Sequence, residues 1–345
     1  MEKHTENPSI ESKITGALLT GALGDALGVP TEMRSQAYIR EHYGRVDTFI
    51  PTKENFFLGK YGFDKEGGGY YSDDTVLTFA ILNSIQEIGG IDIKDMRDKH
   101  IAGYESYPYG FGSNTLKAFK EIKKGIPVQD IVNPEGGGNG MMMKQFPLAA
   151  YFALHDIDPK QEEQTILDIS KVSHGHPAAL VSAIVHHEFL KKLLKSDSGT
   201  IDKSQVIKNL TDIALHQESL YKDRSGKKIS EVLIAISKYI QDDGNLVITD
   251  EQIRAEFGGD GTPRGSGFIT TTLGIVYSLF LRDTTIDSVW DAVNFGGDTD
   301  TYASIIGNMS GSLHGEQYDE KLIGQVQDID TLKKQVNDFI YKLLG

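Results

Sequence analysis

The chain contains no cysteine, which excludes disulfides, zinc–thiolate sites and thiol nucleophiles. It is short of positive charge, with 35 Lys and Arg against 49 Asp and Glu and a formal charge of −14 at pH 7. Non-specific nucleic-acid binding needs basic surface to neutralise phosphates, so it is not expected. No apolar run reaches the roughly 18 residues that span a bilayer, and the start, Met1 to Pro8, is polar. No membrane association and a cytoplasmic location are expected. Strand-like alternation of useful length and a repeat period are absent as well. An anionic substrate would need a local reversal of the field, which bound metal provides.

Helical patterns fill the 345 residues, and one compact all-α domain over residues 1–345 is expected. A flexible tail is expected at residues 1–9 and a peripheral helical layer at 195–260. The first helix runs from Ile10 to Pro30, with Ala17, Gly21, Gly24 and Gly28 on one face. Each helix glycine costs up to ~1 kcal/mol relative to alanine, so this face is predicted to meet a neighbouring backbone closely. Pro30 ends the helix, and Glu32 follows as either a solvated acid or a site residue. Asp25 reads as a helix-face acid or a supporting group. Further helices are predicted over 92–107, 178–194, 203–217, 230–241, 268–281, 285–293 and 332–344, and past Thr301 the residues Ala303, Gly307 and Gly311 form a second small face every four residues.

Two acidic clusters stand at helix starts more than two hundred residues apart. Ser72-Asp73-Asp74-Thr75 opens an apolar helix through Ile88. Caps and the helix dipole account for one acid there, whereas two adjacent buried carboxylates repel unless a cation sits between them. Both readings stay open for that cluster alone. Asn294-Phe295-Gly296-Gly297-Asp298-Thr299-Asp300-Thr301-Tyr302 sets three oxygen-bearing side chains at i, i+2 and i+3 around another helix start. Brought together, the two starts could hold two hard divalent cations.

Three further stretches pair glycine with a helix start. Gly110-Phe111-Gly112-Ser113 and Gly136-Gly137-Gly138-Asn139-Gly140 let a ligand approach main chain, and their amides could meet an anion. Met141, Met142 and Met143 read as core in preference to pocket wall. Ser173-His174-Gly175-His176-Pro177 opens a helix, but the absence of His-Glu-x-x-His discounts zinc. Gln241-Asp242-Asp243-Gly244-Asn245 fails as an EF-hand, because Tyr239 and Gln241 would fill ligand positions. A glycine-rich loop from Gly258 to Gly267 carries Asp260 and Arg264.

Taken in order, Gly21 to Pro30 with Glu32, Ser72 to Thr75, Gly138-Asn139-Gly140, Ser173-His174 with Pro177, and Gly296 to Thr301 resemble the ADP-ribosylglycohydrolase family. The likeness spans roughly residues 10 to 315. It implies an all-α glycosidase with two Mg²⁺ or Mn²⁺ ions acting on an ADP-ribosylated protein or an ADP-ribose derivative, as a monomer. Carried over by position, Ser72, Asp73, Asp74 and Asp300 hold one ion, and Asp298, Asp300 and Thr301 the other. Glu32, Asp73 and Asp300 are implied to be catalytic. Gly110, Gly112, Ser113, Gly138, Asn139, Gly140 and His174 are implied to contact substrate. Cleavage at ribose C1 of arginine-linked ADP-ribose is the expected reaction. Serine-linked, nucleic-acid-linked or free ADP-ribose, phosphoesters, and a non-catalytic binding or structural role are the alternatives. Lys144 stands where the family carries arginine, a point charge in place of a planar fork, and Tyr302 where a small aliphatic is common.

Overall fold

A computed structural model describes residues 7–51, 68–127, 130–197, 199–221, 226–258 and 267–345. Most of the expected tail (residues 1–6), Gly67, and residues 259–266 with Asp260 and Arg264 lie outside the described residues. Among the described residues there are sixteen α-helices. The first eight are α1 (Ile10–Gly28), α2 (Gln36–Tyr43), α3 (Asp73–Ile88), α4 (Ile93–Ser106), α5 (Ser113–Lys123), α6 (Phe146–Leu154), α7 (Pro159–Lys171) and α8 (Pro177–Leu194). They are followed by α9 (Lys203–Glu218), α10 (Ile229–Ser237), α11 (Asp250–Phe257), α12 (Ile269–Arg282), α13 (Asp287–Phe295), α14 (Thr299–His314), α15 (Glu320–Ile323) and α16 (Ile329–Leu344). The all-α expectation holds. One two-residue antiparallel ladder joins β1 (Arg34–Ser35) to β2 (Gly296–Gly297).

The helix starts follow local chemistry. Asp92, Asp158, Asp202 and Thr249 each accept the amide of the residue three positions on, satisfying a donor the helix cannot. Helices α2, α7, α11 and α15 were not among the sequence expectations, although Asp158-Pro159 and the Thr249–Gln252 capping box announce two of them. Helix α10 stops at Ser237 instead of continuing to 241. There the chain doubles back through an Ile240–Leu246 bridge, with Asp243 accepting the Asn245 amide at 2.9 Å in the turn.

Helices α1 and α14 form the axis of the molecule. They run antiparallel, and the small faces expected on both turn out to face each other. A Cβ at Gly28 would lie 2.4 Å from the Asp300 nitrogen, and one at Gly307 would lie 2.4 Å from the Thr20 carbonyl oxygen. A side chain at either position would push the backbones apart. Nearly every helix contributes to one connected core, and Val206, Leu210, Val232, Leu233 and Ile253 of the 195–260 segment belong to it.

Candidate functional site

The α1–α14 seam fixes where the acids of α14 begin. Helix α1 ends at Gly28 beside Asp300, and Pro30 turns the chain through one 3₁₀ turn to Glu32. The Thr31 and Thr299 hydroxyls meet 3.0 Å apart, and both lie within bonding distance of the Gly28 carbonyl, at 3.0 and 2.9 Å. Beyond Glu32, Met33 takes a positive φ of 58°, and its amide donates to the Gly297 carbonyl at 2.7 Å. Gly296 and Gly297, each at φ 89°, complete the ladder. Glu32 is thereby held over α14, and oxygens of Glu32, Asp298 and Asp300 lie within 4.8 Å of one another.

The second acidic cluster arrives on α3. Asp25, buried in α1, accepts the Ser72 and Thr75 amides at 2.9 Å each and the Thr75 hydroxyl at 2.6 Å. An acid from a different helix thus fixes the start of α3 and leaves Asp73 and Asp74 for other work. Thr301 Oγ1 donates to Asp74 Oδ2 at 3.2 Å across 227 residues of sequence. Ser72 keeps its hydroxyl on its own turn, against the Asp74 amide and carboxylate at 3.2 and 3.3 Å.

These residues floor a cleft of about 490 Å³. Glu32, Asp73, Asp74, Asp298, Asp300 and Thr301 line it, together with Gly110, Gly112, Ser113, Gly138, Asn139, Gly140 and His174. Every sequence-derived site residue except Ser72 reaches this one space. Gly110 sits at φ 83°, and a Cβ there would come 2.9 Å from the Ser72 side chain. The Gly112 backbone acts to lower the pKa of Asp73 against the effect of burial. Asn139 donates its amide nitrogen to Asp298 Oδ2 at 2.7 Å and to Thr272 at 3.0 Å, so it orients one of the acids. His174 packs where a Cβ on Gly140 would fall 2.6 Å from its ring, and its Nδ1 lies 2.7 Å from the Ser173 hydroxyl. Met141 and Met142 are core, as expected, whereas Met143 also lines the cleft.

One supporting residue was missed from sequence, and a second, Asp25, was open between two readings of which the supporting one holds. Asn133, a buried asparagine in a loop, donates to Asn114 and to the Ser173 carbonyl at 3.1 and 3.0 Å, tying the loop at 113 to that at 173. Nothing in its sequence neighbourhood marks it. Asp25 was visible as an acid on a glycine-rich helix, but its partners belong to a distant segment.

Burial raises the pKa of Asp73 to about 7 and of Asp25 to about 6. Glu32, Asp74, Asp298 and Asp300 are raised too, first by burial; for Glu32, Asp74 and Asp300 repulsion from neighbouring carboxylates adds to it. Lys144, buried outside the cleft lining, partly offsets Asp73, and burial brings its own pKa down to about 8. Burial, then the charge of Lys144, drops His174 to about 3, so its ring is neutral at physiological pH. Asp74 Oδ1 and Asp300 Oδ1 are buried without a hydrogen-bond partner. Crowded, raised carboxylates with unmatched oxygens and no softer donor among them fit a hard divalent cation.

A sequence profile of the ADP-ribosylglycohydrolase family matches residues 6–344. The chain belongs to this family. It is 21% identical to the ADP-ribosyl-(dinitrogen reductase) glycohydrolase of Rhodospirillum rubrum over 313 residues, covering 89% of this chain and 87% of that one. It is 24% identical to human ADP-ribosylhydrolase ARH3 over 335 residues, covering 88% and 86%. A solved structure titled ADP-ribosylglycohydrolase-related protein complex superposes with a TM-score of 0.69 at 19% identity, over 97% of this chain and 99% of that chain, which supports the fold. Among the described residues, no helix of this family member is long and apolar enough to cross a membrane.

A second group with clustered donors, Glu162, His187 and Glu188, lies away from the cleft on α7 and α8. Lys191 closes it, with its ammonium 2.5 Å from Glu162 and 3.0 Å from Glu188, while His187 Nε2 lies 2.5 Å from the same Glu162 oxygen. A cation is already present there.

Proposed function

We propose that this chain is a hydrolase dependent on two Mg²⁺ or Mn²⁺ ions that breaks the bond between ribose C1 of ADP-ribose and its acceptor. The foremost acceptor is a protein arginine side chain, with serine-linked, nucleic-acid-linked and free ADP-ribose derivatives behind it. The reading is carried by one observation: two buried carboxylate oxygens without partners, Asp74 Oδ1 and Asp300 Oδ1, in residues that floor a cleft partly walled by glycine backbone. Family membership and the names of the relatives support the same chemistry.

Asp73, Asp74 and Asp300 would hold one ion, and Asp298, Asp300 and Thr301 the other, with Asp300 shared. Ser72, whose hydroxyl bonds Asp74, would be the fourth residue of the first set. Bound cations supply Lewis-acid polarisation of the ribose oxygens and a water of lowered pKa. The remaining work falls to the chain. Asn139 holds Asp298 in one orientation through its 2.7 Å bond. Main-chain amides of the loops at Gly110–Ser113 and Gly138–Gly140 offer donors to the pyrophosphate. Neutral His174 adds a hydrogen bond at Nε2 without adding charge. Positive charge develops at C1 in an oxocarbenium-like state, and a carboxylate-rich floor favours it. Glu32, beside Asp298 and Asp300, is the acid or base that moves a proton to the departing atom or from the attacking water.

The test is a panel of arginine-, serine- and nucleic-acid-linked ADP-ribose substrates, with free ADP-ribose read by chromatography. Release from modified arginine in Mg²⁺ or Mn²⁺ is expected. Unchanged release in excess chelator would sink the metal requirement, and phosphate-containing fragments without free ADP-ribose would replace the reaction with phosphoester hydrolysis.

A further inference from the structure

The ladder that carries Glu32 to the acids is two residues long, and so short a pairing is marginal in water. It also holds one carboxylate against others that repel it. Thr31 and Thr299 brace it at its inner end, and a second brace stands at the outer end.

At the outer end of the ladder the last pair is Ser35 with Gly296. The next pair outward would be Gln36 with Phe295, and one guanidinium stands there in its place. Arg254 of α11 donates through Nη2 to Gln36 Oε1 at 2.8 Å and through Nη1 to the Phe295 carbonyl at 3.4 Å, with its Cζ 4.8 Å from the Phe295 ring centre. The other end of the Gln36 amide donates to Asp250 Oδ2 at 2.8 Å, and Arg282 holds the second Asp250 oxygen at 2.8 Å. Neither Arg254 nor Gln36 lines the cleft. A planar fork can reach the first residue of α2 and the last of α13 at once, at the point where each joins its strand, which a lysine point charge cannot.

We infer that Arg254, acting with Gln36 as an extra rung of the ladder, is the positioning residue for Glu32. The inference rests on the proposed role of Glu32, and the first arm of its test does not. Hydrogen exchange over residues 32–37 reads whether the rung holds the ladder, with or without turnover. In Arg254→Met and Gln36→Met, exchange there is expected to rise at least about tenfold while α3 and α14 keep wild-type protection. Arg254→Lys is expected to recover less than half of the lost protection. Wild-type exchange at 32–37 in both Met variants overturns the inference, and so does loss of protection spread evenly over α3 and α14.

The second arm is a double-mutant cycle on ADP-ribose release. Arg254→Met is expected to lower kcat about tenfold with KM changed less than twofold, and to change release less than twofold when added to Glu32→Gln. A full tenfold loss on top of Glu32→Gln overturns the link to Glu32. If the wild-type protein releases no ADP-ribose, the proposed reaction fails while the exchange arm still decides the rung.

Discussion

The molecule contains two groups of clustered acids that look alike in outline and differ in one respect. Between α7 and α8, Glu162 accepts from Lys191 and pairs with His187, and its pKa stays below the usual carboxylate range because these partners outweigh burial. In the cleft, Asp73, Asp74, Asp298 and Asp300 are all raised, and two of their oxygens have no partner. Proximity of carboxylates is therefore a poor indicator of a metal site. What distinguishes the cleft is that the fold withholds a sufficient counterion, so a cation has something to gain there and little at Glu162.

The largest test of this contrast is Asp300→Ala, which removes the oxygen shared between the two proposed ions. ADP-ribose release is expected to fall by more than about a hundredfold, measured by chromatography at saturating Mg²⁺. Next, excess chelator is expected to abolish release and lower Tm by about 5 °C from the value in saturating Mg²⁺. Calorimetry showing the same Tm with and without Mg²⁺ would place no ion in the cleft. At the other group, Lys191→Met leaves Glu162 and Glu188 without their ammonium, and urea unfolding should show a loss of about 1–3 kcal/mol. ADP-ribose release per folded molecule should stay at the wild-type rate. Added Mn²⁺ should recover part of that stability in the variant and none beyond the cleft's own effect in the wild type.

The smallest expected effect is in pH dependence. Asp25 and Asp73 have folded pKa values of about 6 and about 7, above the ordinary 3.8. The metal-free folded protein thus keeps protons that the unfolded chain releases. That contribution to stability is complete below about pH 4 and is lost as pH rises through about 7. Cation competes with those protons, so the Mg²⁺-induced rise in Tm is expected to grow from pH 5 to pH 8. A rise of equal size at both values would mean that the carboxylates hold no extra protons.

Much of the fold could be read from sequence, because helix periodicity and the absence of strand alternation are local. The range 92–107 met the helix Ile93–Ser106 to within a residue at each end, while α2, α7, α11 and α15 went unpredicted even though Asp158-Pro159 signals α7. The cleft residues were legible as motifs, and all but Ser72 line one space. Asn133 and Arg254 were not legible in their roles, and Asp25 was legible as a candidate supporting acid but without its partners. Each acts on a segment distant in sequence, and hydrogen bonds of that kind leave no periodicity or spacing to detect.

Sequence by itself determined the helical class, the small faces on α1 and α14, and the chemistry of the donors: oxygen only, with no thiol to offer. Those properties follow from residue identity and its neighbours along the chain. The tertiary structure decided which acids would lack a counterion. Glycine at positions 28 and 307 lets α1 and α14 touch backbone to backbone, and that contact sets Glu32 and Asp300 side by side while Asp25 ties down α3. Charge becomes a site only when the fold fixes the distances between charges and keeps other partners away.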